Sequence, residues 1–145
     1  MNVHSLFGLL GIAFVGTFFW PVSPEAGAVL WATRYGWNPL LVGVVAGVGQ
    51  AAAHVVLFFF GDQIRRRWRW FDRQCERGRL RFGERLTRST PWLGVSAGLV
   101  GLPPTSVTAA LAPGLGLSAA YLIPIMFVAR VVRFAAVAAI AAHVV

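Results

Sequence analysis

The sequence contains no lysine: its thirteen basic residues are all arginine. Chemistry that needs a lysine amine, such as a P-loop phosphate clamp or a Schiff base, is therefore excluded. Charge of either sign is sparse, at 12% of the chain, against about 25% in an ordinary soluble domain. Acids are scarcer still. Of the five, four lie within residues 61–90, which leaves Glu25 as the only one elsewhere. Cys75 is the single cysteine, so no internal disulfide can form. It reads as a free structural thiol. His4, His54 and His143 are far apart and have no cysteine or carboxylate at ligand spacing, so neither a metal nor another cofactor is expected. No Ser-His-acid order, carboxylate pair or dinucleotide fingerprint stands out. Gly114-Leu115-Gly116 follows no strand and precedes no phosphate-binding lysine. The chain is not expected to be an enzyme.

What is present is apolar. Of 145 residues, 57% are apolar, and the mean hydropathy is +0.68. The length suits one domain, residues 1–145, and the shortage of charge implies that its solvent is largely lipid. Met1 to Phe7 carries no Lys or Arg, so the N-terminus reads as mature protein rather than a secretory signal.

Hydrophobic runs and breaks alternate along the chain. Ser5 to Trp20 is apolar for sixteen residues and then meets Pro21-Val22-Ser23-Pro24-Glu25. The two prolines remove two backbone donors and turn the preceding residues away from helix. Ala26 to Thr33 is a second, shorter apolar run. A spanning helix needs about twenty residues, so residues 5–33 read as a re-entrant hairpin, with one kinked helix as the alternative. Leu40 to Phe60 has 21 residues without formal charge, enough to span. Gly43, Gly47, Gln50 and His54 form one small and polar stripe on it, the side that packs on other helices. Val45, Val48, Val55 and Phe59 are left for lipid.

Residues 61–90 hold ten of the thirteen arginines. Ile64, Trp68, Phe71, Cys75, Gly78, Phe82 and Leu86 follow helical spacing, so 62–88 predicts a basic amphipathic helix at the membrane surface. Its apolar face would lie in the acyl boundary and its arginines near lipid phosphates. Gly78 is a candidate break. The positive-inside rule places this segment in the cytoplasm, and nucleic acid is not an expected partner. Residues 91–117 form a second broken region, with Pro103-Pro104-Thr105-Ser106 at its centre and Pro113-Gly114 at its end. Residues 118–142 are again long enough to span. The expected fold is therefore all-α and membrane-integral: two proline-broken re-entrant hairpins, each followed by a transmembrane helix, with the basic surface helix between them. Interrupted segments at corresponding places in two halves point to a transporter.

Arg130 and Arg133 fall inside the last apolar run, three residues apart and so on one helix face. Each costs roughly 2.5–3.5 kcal/mol at a bilayer centre. Arg130 lies too far from either end of that run to snorkel. Glu25 has two compatible readings: a carboxylate at a helix N-terminus, and a buried counter-ion or proton carrier facing these arginines. If Glu25 neutralises one of them, a positive charge remains, and the free N–H groups at nearby helix breaks suit an anion such as phosphate.

Three pieces of sequence resemble the DedA/VTT family of membrane proteins, particularly its short YqaA-like branch. Pro21 to Glu25 is similar to the first-hairpin Pro-x-Ser-x-Glu motif. Gly47 to Gly61, ending Phe60-Gly61-Asp62, resembles the glycine-rich helix before the central loop. Phe127 to Phe134 resembles the C-terminal basic-x-x-Arg-aromatic motif. With its intervening spacing, the resemblance covers nearly the whole chain. It implies two opposed hairpins and a membrane transporter moving an anionic, phosphate-bearing lipid between leaflets, with proton coupling an option. By position, Glu25 matches the hairpin acid, and Arg130 and Arg133 match the basic pair. The chain departs from the family at Gln50, where an acid or Asn is common, and in the second hairpin, which has Thr105, Ser106 and Thr108 but no acid.

The expected substrate-binding set is Glu25, Arg130, Arg133, Gln50, Ser23, Thr105 and Ser106, with hairpin breaks at Pro21, Pro24, Pro103 and Pro104. The expected partners are anionic membrane lipids, a homo-oligomer is compatible, and the expected location is the bacterial inner membrane. The other open readings are a non-transporting scaffold that recruits lipids or partners through the basic helix, and a small-solute or ion exporter.

Overall fold

The computed structural model describes residues 3–19, 22–88, 90–100 and 104–144. Among these residues the chain is all helical: α1 (Val3–Phe18), α2 (Pro24–Thr33), α3 (Pro39–Arg67), α4 (Arg69–Arg88), α5 (Thr90–Leu99), α6 (Thr105–Leu111), a short 3-10 turn (Pro113–Leu115) and α7 (Ala119–Val144). Two of them, α3 and α7, are long and apolar enough to cross a membrane. These are the two expected spans, displaced at their ends by a few residues. The 16-residue α1 and 10-residue α2 reach only about 24 and 15 Å at 1.5 Å per residue, well short of a hydrocarbon core of about 30 Å. Of the expected hairpin breaks, Pro24 opens α2 and Pro104 precedes α6. Pro21 and Pro103 lie outside the described residues.

The chain divides into two compact units. The first comprises Met1–Ala53 with Phe127–Val145, and the second is His54–Met126. In the first, α1 and α2 pack as an antiparallel pair. A Cβ on Gly16 would lie 2.5 Å from the Val22 carbonyl oxygen, so only glycine lets the chain turn back this closely. One end of the pair is held by the Trp31 indole, which donates to the Ser5 carbonyl at 2.9 Å. Past α2, Gly36 adopts a left-handed φ of 63°, and the Trp37 N–H returns to the Trp31 carbonyl at 3.2 Å. That turn closes the helix end in the manner of a glycine C-cap.

Of the predicted stripe, Gly43, Gly47 and Gln50 face the interior of this unit, and His54 is buried in the second. Cβ atoms on Gly43 and Gly47 would come within 2.7 Å of the Val131 carbonyl and 2.6 Å of its Cγ2, respectively. Backbones approach this closely only where side chains are absent, which is how apolar helices gain dispersion contact in lipid. Val45 departs from the expectation. It is buried beside Val42 and Ala46 in a core with Leu9, Trp31, Phe134 and Ala138, because α3 is covered on more than one side. Val48, Val55 and Phe59 are exposed, as predicted.

The second unit corrects the reading of the basic segment. The helix break falls at Trp68, not at Gly78. Gly78 stays helical, and its missing Cβ makes room for Val107 of α6, which would lie 2.5 Å from that atom. Nor is the whole of the predicted apolar face left for the acyl boundary, although Trp68 is exposed and Ile64 and Phe82 are half-buried. Phe71, Cys75 and Gly78 are buried, and α4 packs on α6. The same helix α6 meets α3, where a Cβ on Gly61 would lie 3.0 Å from Ala110 Cα. Burial within the protein satisfies the hydrophobic pattern as well as lipid would, and periodicity does not distinguish the two. A smaller core of Ala112, Leu117, Leu122 and Met126 supports the turn into α7. That turn is closed by Gly116 at φ 72°.

Candidate functional site

The site is built on the first turn of α2. Ser23 has extended backbone and caps the helix, its Oγ accepting from the Ala26 N–H at 3.2 Å. Pro24 follows at the first helical position, where its missing N–H costs no hydrogen bond. These residues fix the rotation of the first turn and so the direction of Glu25. The Ser23 hydroxyl also donates to Glu25 Oε2 at 3.3 Å. The other oxygen, Oε1, faces α7: Arg133 Nη2 is 3.1 Å away and Arg130 Nη1 3.5 Å.

One carboxylate thus serves two guanidinium groups. Arg130 is the deeper, its side chain 9% exposed, with its guanidinium 5.9 Å from the centre of the Phe134 ring. A cation over an aromatic face gains from the ring quadrupole, and Phe134 is itself fully buried. Arg133 and Glu25 are about a quarter exposed. The cluster is therefore anchored in the core on its Arg130 side and accessible on its Arg133 side. With all three groups ionised it carries one excess positive charge.

Two ion-pair contacts to one shared carboxylate make the arginines tolerable in an apolar helix. They also leave the cluster able to bind an anion. A phosphate with two ionisable oxygens matches paired guanidiniums. Of the predicted residues, Glu25, Ser23, Arg130 and Arg133 are brought together. Gln50 lies in the same unit, one turn along α3 from Gly47, on the side that meets α7. It is 4% exposed, and its Oε1 has no hydrogen-bond partner among the described residues. Thr105 is buried and Ser106 half-buried at the start of α6, in the other unit.

The sequence reading missed a second ion-pair cluster. Arg65 of α3 reaches Asp72 at 2.8 Å and Glu76 at 3.0 Å on α4, and Asp62 at 3.8 Å. Glu76 also pairs with Arg79 at 3.0 Å. In one unbroken helix Glu76 would lie about 16 Å along the axis from Arg65, out of reach. The contact exists because the chain bends at Trp68. The signal available in the sequence was two acids seven and eleven residues beyond one arginine, and it becomes informative only once the break is placed.

The chain matches no family model, no curated protein and no solved structure.

Proposed function

We propose that this chain is an integral membrane protein that moves an anionic, phosphate-bearing lipid between leaflets. The observation that carries this reading is the cluster on α2 and α7: Glu25 Oε1 within 3.1 and 3.5 Å of two arginines on an otherwise apolar helix. A charged group kept at this depth is costly, so a functional role is the default reading. Its excess positive charge selects an anionic headgroup. In the proposed arrangement α3 and α7 span the bilayer, and the pairs α1–α2 and α5–α6 are re-entrant, since each of these helices is too short to cross. Arg130 and Arg133 hold the phosphate. Glu25 balances their charge while the site is empty and exchanges partners when lipid enters.

The test is lipid flipping in vesicles reconstituted with the full chain. Arg133→Ala is expected to abolish most of the transfer of a phosphate-bearing lipid, and unchanged transfer would sink the role of Arg133. Efflux of inorganic phosphate from the same vesicles without lipid transfer would point instead to a small-solute exporter. A second reading, a non-transporting scaffold, draws on the exposed arginines of α4. It is favoured if the Arg133 variant retains cellular function and variants of the α4 arginines lose it.

A further inference from the structure

The arginines of α4 are sorted by the fold. Arg65 gathers Asp62, Asp72 and Glu76 on one flank of the α3–α4 bend. The apolar side of α4, formed by Phe71, Cys75 and Gly78, is covered, with Val107 of α6 against Gly78. What remains outward is a row at spacing four: Arg69, Arg73, Arg77 and Arg81, all exposed. Trp70 and Leu80 are exposed on the same arc, and Glu84 is its one acid. Like charges at this spacing repel along a helix, and an anionic surface opposite them removes that repulsion.

We infer that this face of α4 is a docking surface for the anionic headgroups of the leaflet at which α3 ends. The occupant is committed by charge and by placement. The row is basic along four successive turns, and it begins immediately after an apolar helix of spanning length that closes on Arg65-Arg66-Arg67. Contact is made by arginine to lipid phosphate and by Trp70 at the headgroup level, as aromatic residues sit at membrane interfaces. The apolar side of α4 does not insert, since α6 already covers it. Arg65 acts as a positioning residue: by pairing with Asp62, Asp72 and Glu76, it keeps these acids from neutralising the outer row. The surface shares no residue with the Glu25–Arg130–Arg133 cluster and does not depend on the transport reading.

The experiment is native mass spectrometry of the full chain released from nanodiscs of mixed phosphatidylglycerol and phosphatidylcholine, counting the lipids retained. Each arginine near an anionic surface is worth roughly fivefold in partitioning. The variant Arg69→Gln/Arg73→Gln/Arg77→Gln is expected to lower the preference for phosphatidylglycerol at least about tenfold. Gly11→Ala, at a position that belongs to neither arginine cluster, should leave it in place. Arg65→Gln should reduce the preference without removing any outward charge, which a merely structural contact in the outer row would not do. Leu80→Arg adds a cation to the same arc and should raise the preference, a reading that stands even if the triple variant does not fold. An unchanged preference in both the triple and the Leu80→Arg variants overturns the proposal. So does a preference lost only in Arg133→Ala, or displacement of the lipid by a short single-stranded oligonucleotide that stays bound.

Discussion

Glu25 Oε1 lies 3.1 Å from Arg133 Nη2, and this contact fastens the first turn of α2 to the middle of α7. The same oxygen is 3.5 Å from Arg130 Nη1. Removing the carboxylate would leave two guanidiniums three residues apart with no anion between them.

Glu25→Gln is therefore expected to destabilise the protein by about 2–3 kcal/mol. That is below the 3–5 kcal/mol typical of a fully buried broken pair, because Glu25 and Arg133 keep partial solvent access. Thermal unfolding of the detergent-solubilised chain measures it. A melting temperature equal to that of the wild type would mean the bridge contributes nothing.

Two glycines on apolar helices should respond with opposite signs. A Cβ on Gly43 meets the Val131 carbonyl at 2.7 Å and Ala135 Cβ at 2.9 Å, whereas Gly11 has nothing within 4 Å. Gly43→Ala is expected to cost about 1–3 kcal/mol through overpacking. Gly11→Ala should stabilise by about 0.5–1 kcal/mol by lowering the entropy of the unfolded chain. Equal effects in the same unfolding assay would contradict the close approach of α3 and α7 at Gly43.

Arg65→Gln should loosen the bend at Trp68. The three acids it holds are partly exposed, so a loss of about 1–2 kcal/mol is expected, above the usual surface-pair range because several charges share one guanidinium. Hydrogen exchange should quicken in α4 near Asp72 and Glu76 and leave α1 and α2 unchanged. Uniform exchange across the chain would argue against a local clamp.

The Cys75 thiol should be slow to alkylate at pH 9. Burial pushes it up to about 11, against the partial opposition of Arg65, with Asp72 and Glu76 adding to the rise. Only the thiolate is nucleophilic. Because the folded value is raised, the native state holds its proton while an unfolded chain loses it. The thiol's contribution to stability is complete below about pH 9 and falls away between there and about pH 11. Thiol-reactive dye at stepped pH reads the first effect, and fast labelling at pH 9 would show that α6 does not cover Cys75.

The sequence by itself determined the class of the elements. Long apolar runs, charge-free over 40–60 and interrupted only by Arg130 and Arg133 in the last, made α3 and α7 long and apolar enough to span, and prolines near residues 24 and 104 separated the shorter helices. The rarity of charge outside 61–90 singled out Glu25, Arg130 and Arg133 as residues needing a reason. These are local or compositional facts, governed by period, length and desolvation cost. Tertiary structure decided which partner met each surface. Glu25 shares one oxygen with both arginines because Ser23 and Pro24 orient the first turn of α2. Gly78 reads as a helix breaker, yet it is helical, and its lack of a side chain admits Val107. The amphipathic pattern of α4 was visible, but whether lipid or protein covers the apolar side was not, since both satisfy the same period. Contact with α6 decides it for the buried side with Phe71, Cys75 and Gly78, leaving the arginines outward together with Trp70 and Leu80.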